Sequence, residues 1–363
     1  MASRVAIIGC GKVAQLHAQA VQQIPDAELV GVCDTQLSRA QSFSGQYGGQ
    51  PYDNVDALLR HSNCEAVLIC TPHPLHEEPT VAAARAGVHV LIEKPMASSL
   101  AACDRMLTAA RESGIKLGIV SQRRLFEPVQ RIKQAIDTGK IGRPVLGTFQ
   151  MYSWRDEAYY RSDPWRGKWA TEGGGVLINQ SPHQLDMLQW FMGEIEEISG
   201  YWANLNHPYI EVEDTALAMV RFRSGALGSV VTSLSQKPGI YTKVHIHGSN
   251  GASVGVQTDS GATFVAGMSG ITEPPLNDVW TIPGEEHRLA EFEQIDRTQF
   301  AKVDATSYYH RLQIEDFLEA IRDDRSPLVP GEEGRIVVEM FTAIYRSQQQ
   351  RRPVQFPVAT EED

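Results

Sequence analysis

Asn179, His183 and Asp186 stand four and then three residues apart in the stretch TEGGGVLINQSPHQLDMLQW, residues 171–190. On one helix they would form a column, with an amide, an imidazole and a carboxylate on a single face. Imidazole is the side chain whose unperturbed titration lies nearest neutral pH, so the column suggests proton transfer. A buried structural histidine on an amphipathic helix would show the same spacing. Gly173, Gly174 and Gly175 lead into the column, and residues without a Cβ let backbone approach closely. Pro182 complicates the picture: either the helix kinks there, or Ser181 caps a new helix with Pro182 at its first position and the column breaks. A second candidate is Lys94, in Glu93-Lys94-Pro95. At the end of a buried strand its ammonium can polarise a substrate oxygen, or it is a solvated loop cation. The run YYRSDPWRGKW, residues 159–169, alternates aromatics with cations. Trp165, Arg166 and Lys168 suit a sugar ring with hydroxyls or a carboxylate, or else a surface loop at a subunit interface.

These groups need elements to position them. Up to residue 122 the chain alternates buried strand-like runs (4–9, 27–34, 65–72, 89–95, 116–122) with helical runs (12–24, from Leu37, 77–87, 98–114). That alternation predicts a doubly wound parallel sheet, a Rossmann-type dinucleotide-binding domain over residues 1–122. Ligands bind such sheets beyond the carboxyl ends of the strands. The first strand ends in Gly9-Cys10-Gly11-Lys12-Val13-Ala14, a G-x-G-x-x-A turn that opens a helix, and Asp34 ends the second strand 20 residues after Ala14. Gly9 permits the tight turn, Gly11 the approach of a pyrophosphate, and Ala14 close helix–strand packing. An acid at Asp34 accepts ribose hydroxyls and repels a 2′-phosphate, so NAD is expected, with Arg39 near enough in sequence to leave NADP open. The expected cofactor contacts are Gly9, Gly11, Lys12, Val13 and Asp34. Thr71, Pro72, His76, Glu93, Lys94 and Gln122 join them from the later strand ends. His73 and His76 read as loop histidines that cap a helix or touch a phosphate, with catalysis as the alternative.

Residues 123–363 read as a separate α+β domain. Strand-like runs at 144–155, 197–206, 214–223, 226–236, 241–248 and 252–258 alternate in polarity and are joined by turns such as Ser224-Gly225, which predicts a mainly antiparallel sheet. Two helices, 308–322 and 331–347, close the domain; residues 259–300 give no clear pattern, and the tail from 351 reads as loose. His245 and His247 read as surface or interface residues, and Glu211, Glu213 and Asp214 as an acidic strand entrance.

Formal charge is −11 with 44 acidic and 33 basic side chains, which argues against a nucleic-acid or anionic-membrane partner. No apolar run approaches a membrane span, and the N-terminus lacks a signal-peptide core. Five cysteines without CxxC or Cys/His ligand spacing imply a reducing cytoplasm, no disulfide frame and no metal.

The G-x-G-x-x-A turn, VCD, TPHPLHEE, EKP and GGGVLINQSPHQLDMLQW, taken in this order, resemble the glucose–fructose oxidoreductase / inositol dehydrogenase / MocA family over nearly the whole chain. The resemblance implies an N-terminal Rossmann domain and a C-terminal domain with a large open sheet, through which many members pair as dimers or tetramers. It implies hydride exchange between a nicotinamide cofactor and a carbinol of a sugar, glycoside, cyclitol or related polyol. Lys94 matches the family's catalytic lysine and His183 its acid/base histidine; Asn179 stands where many members have Asp. Lys94, His183 and Asn179 are therefore the expected catalytic set. Arg123, Trp165, Arg166, Lys168 and Asp186, with the catalytic three, are the expected substrate contacts. Two other activities fit the same residues: a glycosidase with tightly held NAD that oxidises, eliminates and re-reduces, and a sensor that binds NAD and sugar without turnover.

Overall fold

The computed structural model of the protein describes residues 2–259, 264–265, 268–269 and 273–360. It divides into two compact units: the chain up to Gln122 with Thr306–Val338, and Arg123–Ala305 with Glu339–Thr360. The sequence pattern puts all of 123–363 in the second domain; in the structure Thr306–Val338 packs with the first unit instead. The reason is a return of the chain to the Rossmann core. Ile314, Phe317 and Leu318 join the cluster built on Val5, Ile7 and Val32, and Gln313 donates to the Ile119 carbonyl at 2.8 Å.

The first unit is a six-stranded parallel sheet. Its strands are β1 (Ser3–Ile8), β2 (Ala27–Cys33), β3 (Gln50–Tyr52), β4 (Ala66–Ile69), β5 (His89–Ile92) and β6 (Leu117–Ile119). They lie in the order β3-β2-β1-β4-β5-β6, and every pairing is parallel. β1 and β4 are almost wholly buried, as unbroken apolar runs covered on both faces must be. The order reverses at β1 and β4, where a crevice opens at the strand ends. The sequence pattern passes over β3, which is only three residues long and carries Pro51; an edge position tolerates a proline because one side of the ladder is unused. The helix Val55–His61 after it starts at Asn54, whose side chain accepts the Ala57 N–H at 2.8 Å.

The second unit carries an eight-stranded sheet. It comprises β7 (Pro144–Tyr152), β8 (Ile195–Ala203), β9 (Thr215–Phe222), β10 (Leu227–Ser233), β11 (Tyr241–Gly248) and β12 (Ser253–Asp259). After a short ribbon, β13 (Phe264–Val265) with β14 (Met268–Ser269), come β15 (Leu276–Trp280) and β16 (Val354–Gln355). The order is β15-β12-β11-β7-β10-β9-β8-β16, antiparallel throughout except for β7 beside β10. The α/β expectation for the first unit and the mostly antiparallel sheet of the second both hold. The tail is not loose as far as Thr360: β16 pairs with β8, and Val354 and Val358 are buried. Apolar–polar alternation along β9 buries Ala216, Ala218, Val220 and Phe222 against helices and leaves Leu217 and Met219 outward. Among the described residues no helix is long and apolar enough to cross a membrane. All five cysteines are buried and none is in a disulfide.

Candidate active site

In the first unit the carboxyl ends of the strands gather the expected cofactor contacts. Gly9 has φ +93°, and a Cβ there would lie 2.9 Å from the backbone of Cys70 and Thr71 at the end of β4, so no other residue fits. A Cβ at Gly11 would meet nothing within 4 Å, which leaves open space over the start of the helix Lys12–Gln22. That helix has no side-chain cap and no acid in its first turn, and a helix start of this kind suits an anion. Asp34, at the end of β2, accepts the Cys10 N–H at 3.1 Å and the Gln36 N–H at 2.9 Å, with Arg39 at 3.4 Å. Three accepted bonds still leave a lone pair on the carboxylate for a ribose hydroxyl. This donor and acceptor set fits a dinucleotide. Gly11→Val adds bulk only to the open space; it is expected to leave the melting temperature of the unliganded protein unchanged while weakening NAD binding at least ~tenfold, about 1.4 kcal/mol, as read by the cofactor-induced thermal shift.

The later strand ends are used differently from expectation. The Thr71 hydroxyl donates to the Leu75 carbonyl at 3.1 Å and closes the loop through Pro72, and His73 is buried edge-on to His76. His76 is expected to touch the cofactor, but it is 0% exposed. Its Nε2 lies 2.8 Å from the Thr71 carbonyl and its Nδ1 3.1 Å from the carbonyls of Pro95 and Met96. With both ring nitrogens engaged by backbone, His76 is a clamp between this loop and the turn after Lys94. Glu93, another expected contact, is buried, with Oε1 2.7 Å from His17 Nε2 and Oε2 accepting the Lys94 N–H at 3.1 Å. Lys94 is half-buried at the end of β5, and Gln122 is buried after β6.

In the second unit, the proline question resolves to two helices. Val176–Asn179 ends, Gln180 and Ser181 intervene, and Pro182–Met192 begins with the proline in its first turn. The column of Asn179, His183 and Asp186 is therefore broken. His183 lies in the first turn of the longer helix and is buried, and Leu188 and Phe191 pack into the unit. Asn179, half-buried, donates its amide to the Tyr159 hydroxyl at 3.1 Å and to the Glu172 carboxylate. A carboxylate at 179 would face Glu172 with like charge, so this surrounding accounts for Asn in place of Asp. Asp186, an expected substrate contact, is engaged within the unit. Both its oxygens are held by Arg124, at 2.8 and 2.5 Å, and the Arg124 side chain is 0% exposed.

The three glycines also answer to the protein itself. Gly173 takes φ +87° as the cap of the helix Trp169–Glu172. A Cβ on Gly174 would fall 2.2 Å from the Tyr345 hydroxyl, and one on Gly175 1.9 Å from the Glu213 carbonyl. Glu213 is fully buried and holds the stretch by accepting from Gly175 N–H (2.9 Å), Leu177 N–H (3.0 Å) and the Tyr345 hydroxyl (2.8 Å). Burial outweighs those bonds and pushes its carboxyl up to about 7. Glu213 and Asp214 do stand at the entrance to β9, as expected, but as interior groups; Asp214 pairs with His207 at 2.7 Å.

Of the aromatic–cation run, Arg166 is occupied within its own loop, by Asp163 at 3.2 Å, by the Tyr159 hydroxyl at 2.5 Å and by the rings of Tyr159 and Trp165, each 4.4 Å away. Trp165 is half-buried, and Lys168 is exposed. Arg123 donates to the Thr258 hydroxyl at 3.1 Å. His245 pairs with Asp278 at 2.9 Å and His247 with Ser253 at 2.8 Å.

Two family descriptions match the chain: the oxidoreductase family with an NAD-binding Rossmann fold over residues 3–120, and the GFO/IDH/MocA C-terminal domain over 129–254. An inositol 2-dehydrogenase of Rubrobacter xylanophilus is 30% identical over 76% of this chain and 77% of its own. The chain belongs to the GFO/IDH/MocA oxidoreductase family. Another GFO/IDH/MocA relative, a myo-inositol 2-dehydrogenase of Thermotoga maritima, is 27% identical over 97% of this chain and 98% of its own. Among solved structures, the WlbA dehydrogenase of Bordetella pertussis, in complex with NADH and UDP-GlcNAcA, is 29% identical, covers 99% of both chains and superposes with a TM-score of 0.87. As a GFO/IDH/MocA member, the protein is an oxidoreductase with an NAD-binding Rossmann unit.

Proposed function

We propose that the protein is an NAD-dependent dehydrogenase that oxidises a secondary carbinol of a sugar, glycoside, cyclitol or sugar derivative, with Lys94 and His183 handling the proton. The observation that carries this reading is the built cofactor end: open space over Gly11, uncapped first-turn amides and the Asp34 carboxylate at the end of β2. Asp34 favours NAD over NADP, although Arg39 stands 3.4 Å from it. Relatives that act on inositols, and a neighbour holding a nucleotide-linked uronic acid, support a ring carbinol as substrate.

When bound, the nicotinamide accepts the hydride. His183 takes the hydroxyl proton as a general base. Lys94, its backbone fixed by Glu93 and the following turn clamped by His76, holds the developing alkoxide with its ammonium. Asn179, oriented by Glu172 and Tyr159, positions a ligand hydroxyl or the imidazole. Absorbance at 340 nm, with NAD and then NADP against inositols, hexoses, glycosides, uronates and UDP-linked N-acetyl-hexosaminuronic acids, tests the reading. NADH must accumulate with one class; no NADH from any of them would overturn it.

The exposed face of the second unit's sheet supports a homo-oligomer. Tyr201 and Met219, 74% and 70% exposed, stand on neighbouring strands with Leu217, Leu227 and Leu146, all outward. Exposed apolar side chains on four adjoining strands, with Arg221 and Ser229 among them, suit a second copy of the same sheet. Met219→Glu is expected to lower the sedimentation mass toward 40.1 kDa without loss of the fold; an unchanged oligomer, or a wild type already at that mass, defeats the proposal.

A further inference from the structure

A carboxylate and two imidazoles are buried together in the first unit, behind the strand ends. Glu93 is 8% exposed, His17 1% and His310 6%. His17 lies on the helix whose first turn faces the cofactor space, His310 on the helix Ala305–Arg322. Glu93 Oε1 lies between the rings, 2.7 Å from His17 Nε2 and 4.0 Å from His310 Nε2, and the rings meet edge-on. His310 Nδ1 donates to the Thr306 carbonyl at 2.7 Å, which fixes its tautomer. Oε2 accepts the backbone N–H of Lys94. These three side chains could in principle hold an ion. However, the 2.7 Å contact is a hydrogen-bond length, whereas ligands of a tetrahedral ion with bonds near 2.0 Å stand roughly 3.3 Å apart.

The charge states follow from the surroundings. Burial opposes a charged His17, but the Cys70 thiol and the Glu93 carboxylate outweigh it and push the ring up to about 10. Burial works against Glu93 as well, yet His17, with His310 and Lys94, holds it down at about 2. Burial and the charge of His17 push His310 down to about 4. At neutral pH the cluster is a cation–anion pair beside a neutral ring.

We propose that Glu93, held between His17 and His310, is a positioning residue: it fixes the backbone at Lys94, sets the electrostatic field in which that ammonium works, and ties it to the phosphate-facing helix through His17. The proposal rests on the reading of Lys94 as the proton-handling lysine. The groups facing Glu93 are His17 from the first helix, His310 from the later one and Lys94 on its own turn; Cys70, after β4, faces His17.

The test is the pH profile of kcat/KM. Glu93→Gln removes the anion beside Lys94, and the buried His17 ring, without the carboxylate that holds its proton, is neutral there, so the alkaline limb moves to lower pH by about one unit. His17→Gln leaves the anion without its partner, so the limb moves to higher pH. The double variant, an amide pair without charge, keeps the limb where Glu93→Gln puts it and cancels the shift of His17→Gln. A general loosening of the core would move both single variants the same way and the double further. A limb that is unmoved in folded variants, or moved in one direction by both, overturns the proposal. If one single variant fails to fold, the other against the double decides. Lys94→Ala separates the two levels: turnover retained there defeats the reading of Lys94 itself, whereas turnover lost there, with unmoved limbs in the others, defeats only the role of Glu93.

Discussion

His183→Ala is expected to lower kcat by roughly 10²–10⁴-fold while leaving NAD binding intact. The loss corresponds to about 3–5 kcal/mol of transition-state stabilisation. It falls on kcat because a general base acts on a proton that moves only in the transition state. NAD binding is expected to be spared because the residues proposed to hold the cofactor, Gly9, Gly11 and Asp34, belong to the first unit and His183 to the second. Fold is spared as well, since His183 sits in the first turn of its helix and the core of that unit is carried by Leu185, Leu188 and Phe191. Steady-state rates with the best substrate, together with the NAD-induced thermal shift, check both halves. Full turnover in the variant excludes His183 as the base. Lys94→Ala is expected to cost a similar factor. Unlike His183→Ala, it removes a cation, so exogenous alkylamines would restore part of the rate.

The first unit was legible from sequence because its signals are local. A strand, a glycine turn and an uncapped helix lie within residues 3–22, and each residue there does its job where it stands. Long-range pairing was not legible. Asp186 lies at helical spacing from His183, but its partner Arg124 is 62 residues away. Glu213 grips the glycine stretch across 38 residues, and no local pattern announces that. Gly174 and Gly175 looked like room for a ligand, yet the space is filled by Tyr345 and Glu213. One signal was available and unused. Ala14, His17, Ala18 and Val21 share the buried face of the first helix, so a histidine stood on an apolar stripe and needed a buried partner. The return of Thr306–Val338 to the Rossmann core followed from no composition shift, since buried helices read alike in either unit.

The largest effect on stability is expected at Arg124. Its guanidinium is fully buried, makes two bonds to Asp186 and lies 4.7 Å from the centre of the Trp190 ring. Arg124→Met keeps much of the apolar stem but leaves the Asp186 carboxylate in the interior without its counter-charge. Breaking a buried pair on one side costs about 3–5 kcal/mol, several times what an exposed pair contributes. For a unit of this size that lowers the melting temperature by roughly 10 °C. Asp186→Asn is expected to cost somewhat less, because the amide oxygen still accepts one bond. Replacing both partners, Arg124→Met with Asp186→Leu, is expected to recover most of the loss, since no unpaired charge remains. Calorimetry on these variants, with Asp186→Leu added to close the cycle, gives the coupling. If Asp186 bound substrate, Asp186→Asn would instead raise KM and leave the melting temperature alone. The buried bidentate contact requires the opposite result: a large thermal shift, with KM unchanged at temperatures where the variant stays folded.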